Sequence, residues 1–144
     1  VWSHRALRVA FTGTQFGMTL YQRSKLGTVL LGLGRFQFHH GGAAGADTEA
    51  HEIAYDAGCR DLHVWLPVGK TWPPMQYTTI HHTGTGALRR NHFTIYGANL
   101  LIATPRQAKE IRRSGTWATV RAARKAGIET KVLVPQPTDE EGTT

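Results

Sequence analysis

A single cysteine, Cys59, stands in 144 residues. No internal disulfide can staple the chain, and a chain without disulfides fits a reducing compartment. No apolar run approaches the ~20 residues that a membrane-spanning helix needs. The amino terminus lacks the apolar region and small-residue cleavage site of a secretory signal. The expectation is a cytoplasmic protein with no membrane partner. Acidic residues are also scarce: 10 Asp and Glu stand against 17 Lys and Arg, a net charge of +7. Such a surface favours anionic partners without by itself meaning nucleic acid. The excess is spread along the chain, with one richer region from Arg106 to Arg124. Internal repeats and linkers are missing too. One domain over residues 1–135 with a polar tail over 136–144 is expected, and a chain of this length buries a core large enough to be stable alone.

What the chain does have is glycine at chosen places. The stretch Phe38-His39-His40-Gly41-Gly42-Ala43-Ala44-Gly45-Ala46-Asp47-Thr48-Glu49 follows a short run in which Phe36 and Phe38 alternate with Arg35 and Gln37, and it leads into a helical pattern. Gly41, Gly42 and Gly45 carry no Cβ, so a ligand can approach the backbone there. The helix beyond presents unpaired N–H groups at its start. Strand, glycine turn and helix start together read as a cradle for a phosphate or another anion. The plainer reading is a turn that only reverses the chain; two further stretches that point to the same place favour the ligand turn.

From the amino terminus, Leu7, Val9 and Phe11 alternate with Arg8 and Ala10 and predict a strand, which ends in Thr12-Gly13-Thr14-Gln15-Phe16-Gly17. That ending suits a ligand loop and an ordinary turn equally. Thr19, with Gln22 three residues on, predicts a capping box. Its helix carries Leu26, Val29, Leu30 and Leu33 towards a sheet and stops at Gly34. A second strand over 35–39 precedes a helix over 46–57, whose first turn holds Asp47 and Glu49 where negative charge suits the helix dipole. Leu62, Val64 and Leu66 predict a third strand. From Gly69 to Thr85 no period is visible, yet Trp72, Met75 and Tyr77 are too apolar for plain disorder, so this long loop is expected to fold over something. A short helix over 91–98 leads to an apolar run, Leu100 to Ala103, that predicts a strand buried on both faces. The basic segment 106–113 follows, then a helix opened by Ser114-Gly115-Thr116-Trp117 and a last strand from Lys131 to Val134. Five strands alternating with helices predict an α/β, doubly wound, mainly parallel sheet with helices on both faces. Ligands of such sheets bind outside the carboxyl ends of the strands, near the switch in strand order. Thr12–Gln15, His39–Asp47 and Thr104–Pro105 fall at those ends, and Ser114–Thr116 at a helix start on the same edge.

Four of these stretches, taken in order, carry a resemblance: Val9-Ala10-Phe11-Thr12-Gly13-Thr14, His40-Gly41-Gly42-Ala43-Ala44-Gly45-Ala46-Asp47, Arg90-Asn91 and Ser114-Gly115-Thr116-Trp117. Together they resemble the SLOG superfamily, which joins the DNA-processing proteins of transformation to the "lonely guy" cytokinin-activating phosphoribohydrolases. The likeness is greatest to small bacterial and phage-type members and covers about residues 8 to 135. It implies a Rossmann-like fold. It implies that Gly41, Gly42, Gly45, Asp47, Gly115 and Thr116, with Gly13, Thr14, Ser114 and Trp117 around them, hold a nucleotide or nucleotide-like ligand by its phosphate. Arg90 and Asn91 would then sit beside the sugar or phosphate. The phosphoribohydrolases carry a glutamate three residues after the threonine of their second motif. Thr119 stands there in this chain, and Arg113-Ser114 replace the doubled glycine before it. Either no N-glycosidic bond is cleaved, or Asp47 or Glu49 supplies the carboxylate.

The expected function is binding of a nucleoside monophosphate or related small anion, with N-glycosidase action on a nucleoside 5′-monophosphate as the chemistry if the protein is an enzyme. The alternatives are a non-catalytic nucleotide sensor and a single-stranded nucleic-acid-binding protein. No cofactor is expected and no metal. His39 and His40, adjacent on a strand, point to opposite faces, which leaves His82 as the histidine that could meet His40 across the cleft. Trp72 and Trp117 are candidates for stacking on a base, whereas Trp65 reads as a strand residue packed under a helix. A homodimer or larger homo-oligomer is expected, partly from the resemblance and partly from the long apolar-bearing loop.

Overall fold

The computed structural model describes residues 6–137, so most of the expected tail and the first residues lie outside it. In chain order the elements are β1 (Leu7–Gly13), α1 (Leu20–Leu31), β2 (Phe36–His40), α2 (Ala46–Asp56), β3 (Leu62–Leu66), β4 (Thr78–His82), α3 (Ala87–Ile95), β5 (Leu100–Thr104), α4 (Gly115–Lys125) and β6 (Glu129–Val132). The strands form one sheet in the order β4-β3-β2-β1-β5-β6, with every pairing parallel. The sheet has six strands where five were expected, and the additional one lies inside the segment read as a long loop. β4 is an edge strand paired with β3 from Leu62↔Thr78 to Leu66↔His82. Its residues stay at least partly exposed, so it never needed the apolar alternation by which a half-buried strand is recognised.

Both faces are covered. Val9, Phe11, Phe38, Leu62, Leu100 and Ile102 pack against Leu26 and Leu30 of α1 and the alanines Ala46, Ala50 and Ala54 of α2. Small residues on α2 let that helix approach the sheet closely. On the opposite face Ala10, Leu101 and Ala103 meet Ile95 of α3 and Trp117, Val120 and Ala123 of α4. The interior strand β5 is buried at all five positions, as its unbroken apolar run requires.

The capping box forms as read: Thr19 accepts from the Gln22 amide at 3.1 Å, and Gln22 returns the bond to the Thr19 amide at 3.0 Å. Gln22 is also buried and does more. Its amide group donates to the carbonyls of Pro105 (2.8 Å) and Leu133 (2.9 Å), tying the start of α1 to the ends of β5 and β6.

The strand order switches between β1 and β5, which leave their shared edge toward α1 and α4 respectively. The segments after β1, β2 and β5 therefore surround one opening at the carboxyl edge. Among the described residues, no helix is long and apolar enough to cross a membrane.

Candidate binding cleft at the switch in strand order

The opening is a cleft of about 490 Å³, within the usual range of small-molecule sites. Of the residues singled out in the sequence, Gly13, Thr14, Gly41, Asp47, Arg90, Asn91, Ser114, Gly115, Thr116 and Trp117 line it together. Gly42, Gly45 and Glu49 do not. Gly42 backs onto the side chains of Val64, Leu66 and Trp72, and Gly45 onto the backbone of Gln15 and Gly17. The Glu49 carboxylate accepts from the Met18 amide at 2.6 Å and pairs with Arg23. Gly45 and Glu49 join the loop after β1 to the start of α2, whereas Gly42 packs on β3.

The floor at β2 is closed by the chain's own groups. Asp47 folds back so that its carboxylate accepts from the Ala43 amide at 3.1 Å. Two backbone donors of this glycine turn are thus taken internally, the Ala43 amide by Asp47 and the Gly42 amide by His40. Burial pushes the Asp47 carboxyl up to about 6, with the Ala43 amide, the Arg90 charge and the Gly41 amide holding it down against that push. Arg90 is buried beside it. Its Nη1 donates to the carbonyls of Gly41 and, at 3.1 Å, Trp65, and its Nε to Asn91 Oδ1 at 3.0 Å. A Cβ on Gly41 would lie 2.5 Å from the Arg90 Cζ, so the absent side chain makes room for this guanidinium. Burial lowers the Arg90 pKa, and the Asp47 charge works against that.

The wall at α4 is different. Ser114 caps the helix, its hydroxyl accepting from the Trp117 amide at 3.2 Å, and the Ala118 amide reaches the Ser114 carbonyl. The amides of Gly115 and Thr116 have no acceptor among the described residues, as the first turn of a helix leaves them. Nothing lies within 4 Å of where a Gly115 Cβ would be. Arg106 and Arg113 line the same cleft, and Asp47 is the one acidic residue of its lining. Thr119, at the place of the phosphoribohydrolase glutamate, is buried and donates to the Gly115 carbonyl at 3.1 Å. The two arginines were legible as a basic segment. Their place on the cleft follows only once the segment after β5 is known to turn back over the sheet edge.

The histidines divide as the strand geometry demands. His39 stacks on His63 at 4.2 Å and accepts from the Trp65 indole at 3.0 Å, on the α3 face. His40 points to the other face, where its partner is His51 of α2 and not His82. The Gly42 amide donates to His40 Nδ1 (3.0 Å), which assigns the His40 proton to Nε2 and directs it at His51 Nδ1 (2.8 Å). His51 then turns its own Nε2 proton to Thr78 Oγ1 at 3.2 Å. Trp72 packs edge-on against His40 at 5.2 Å, so the segment between β3 and β4 folds over this histidine pair. Trp65, as read, lies under a helix, stacked 6.0 Å from Phe93 of α3. Among the described residues, no group of three or more His, Cys, Asp or Glu is placed to hold a metal.

No protein-family model and no curated protein matches the chain. Solved structures do match, and they show the fold, a Rossmann-like parallel α/β sheet. The molybdenum cofactor binding protein of Rippkaea orientalis superposes with a TM-score of 0.71 at 20% identity, over 92% of this chain and 79% of that one. The Moco carrier protein of Chlamydomonas reinhardtii gives 0.64 at 24% identity, over 97% and 83%. DNA processing protein A of Streptococcus pneumoniae gives 0.68 at 18% identity; 94% of this chain is covered, but only 53% of that longer one.

Proposed function

We propose that the protein binds a small phosphate-bearing ligand of the nucleotide type in this cleft, with the phosphate on the first turn of α4. The observation that carries the reading is the pair of unpartnered amides at Gly115 and Thr116, flanked by Arg106 and Arg113 in one cleft. A helix start supplies both donors and a favourable dipole for an anion. The arginines add charge-assisted bonds. One structural neighbour is named as a molybdenum cofactor binding protein and another as a Moco carrier, which supports a small-molecule ligand.

Calorimetry with nucleoside 5′-monophosphates tests this. Arg113→Ala is expected to weaken binding about tenfold to a hundredfold, the scale of one hydrogen bond between charged groups. Unchanged affinity would remove the phosphate from the α4 wall. Arg90→Ala is a poorer probe, because Arg90 also ties two backbone carbonyls and faces Asp47.

One observation favours a second reading, hydrolysis of the N-glycosidic bond. Asp47 is a buried carboxyl with a pKa of about 6 on the cleft wall, the range that suits a proton donor near neutral pH. Binding without turnover is nevertheless the reading we favour, since Asp47 is held by backbone amides and Thr119 carries no charge. Chromatography of a nucleotide panel after incubation is expected to find no freed base. Base release that disappears in Asp47→Asn, with affinity retained, would establish the hydrolase instead. Oligonucleotide binding that falls steeply with salt would favour the nucleic-acid alternative that the charge of +7 keeps open.

A further inference from the structure

We infer that the cleft selects a ligand bearing a planar heterocycle, and that Phe16 is the surface on which that ring stacks. The inference rests on the phosphate reading above and names the other half of the same ligand. Three aromatic residues line the cleft: Phe11, Phe16 and Trp117. Phe11 is 1% exposed and Trp117 6%, each packed into one of the two cores, so neither has a ring face to offer. Of the two tryptophans that the sequence nominated for stacking, Trp117 is therefore committed to α4 packing, and Trp72 packs on His40 outside the cleft lining. Phe16 is 66% exposed.

An exposed phenylalanine is by itself unremarkable in a folded protein. This one is held in place. The Phe16 amide donates to Thr14 Oγ1 at 3.2 Å, and the Gly17 amide to the Thr14 carbonyl at 3.2 Å, which fixes the turn that carries it. The Arg106 guanidinium, reaching over from the segment after β5, lies 4.1 Å from the ring centroid. Arg106 also lines the cleft. The guanidinium accounts for one face of the ring, and the exposure that remains leaves the other open. Across the cleft, Leu88 on the first turn of α3 is 73% exposed and lines the same space. The cleft thus has a polar wall at α4, with helix amides and arginine, and exposed apolar side chains at Phe16 and Leu88. A sugar phosphate would occupy that wall and leave both apolar side chains in water. A phosphate ester that ends in a flat ring would cover them, with Phe16 as its stacking partner and Arg106 backing the other face of Phe16.

The test compares two probes on three proteins. Ribose 5-phosphate carries the anion without a ring; guanosine 5′-monophosphate carries both. On the natural chain the nucleotide is expected to bind at least tenfold more tightly than the sugar phosphate, the scale of one base stacked on an aromatic side chain. Phe16→Ala and Phe16→Leu should both erase that difference, with ribose 5-phosphate as the ring-free reference measured on each variant. Leucine retains apolar bulk without a π face, so its failure to rescue separates stacking from simple covering. The side chain projects into solvent, so neither change threatens folding. Equal binding of the two probes by the natural chain, or a preference that survives Phe16→Ala or is restored by leucine, overturns the inference while leaving the phosphate reading intact. If neither probe binds, both fall.

Discussion

Acidification from pH 6 to about 4.5 is expected to remove roughly 4 kcal/mol of folding stability. His39, His40 and His51 are buried, and burial holds all three neutral: His39 down to about 2, His51 to about 4, and His40 well below its ordinary value. In the unfolded chain each titrates near 6.5. Between these limits the unfolded state binds about three more protons on these residues than the folded state. Stability therefore rises with pH there and is lost as pH falls below 6.5. Asp47 acts in the opposite sense. Its folded pKa of about 6 exceeds the unfolded value near 3.9, so the folded state holds one proton more in that window. The balance is about two protons taken up on unfolding, a slope of roughly 3 kcal/mol per pH unit. That is a large share of the ~5–15 kcal/mol of an ordinary domain. Urea denaturation at a series of pH values measures it. A flat profile between pH 7 and 4.5 would mean that these imidazoles are not buried neutral. Asp47→Asn should steepen the slope, because it removes the opposing proton.

Gly45→Ala is expected to cost roughly 3–5 kcal/mol of stability, enough to unfold a marginal protein. Gly45 sits at φ 79 and ψ −119, a region that only glycine enters readily. An added Cβ would fall on the Gln15 carbonyl, 2.5 Å from its carbon and 2.8 Å from the Gly17 nitrogen. All of these are backbone atoms, so no side chain can swing aside. The displaced turn would carry with it the bond from the Ala46 amide to the Thr14 carbonyl, which starts α2. Gly115→Ala is the control: that residue has ordinary backbone geometry and empty space around it, and its replacement should leave stability within about 0.5 kcal/mol. Thermal unfolding of the two variants side by side decides the matter, and a Gly45→Ala protein as stable as the natural one contradicts this packing.

The sequence was most readable where one physical demand acted alone. The unbroken apolar run at β5 had to be a strand covered on both faces, and the Thr19–Gln22 pair had to start a helix. β4 stayed hidden because an exposed edge strand is under no such demand; its Thr78-Thr79-Ile80 is rich in β-branched residues but holds one large apolar side chain. α3 begins at Ala87, four residues earlier than the periodicity indicated, since Leu88 is exposed and Gly86 provides no side-chain cap. In the cleft, the two glycine segments marked the right edge of the sheet. Which backbone donors remain open there was beyond reach, because it depends on Asp47 turning back onto Ala43 and on Arg90 seeking the Gly41 carbonyl. Both are contacts between segments that only the finished fold brings together.

The inward turn of Asp47 also bears on how many charges a guest can carry. A sheet of this order offers two anion cradles side by side, one after β2 and one before α4. Here the protein's own Asp47 carboxylate holds the Ala43 amide of the first. If a phosphate sits on α4 as proposed, a single phosphate meets no competitor there. A diphosphate bridge, spanning both, would bring its second charge up against Asp47 and would have to evict it or see it protonated. On that reading monoesters are favoured over dinucleotides before any base or sugar is read.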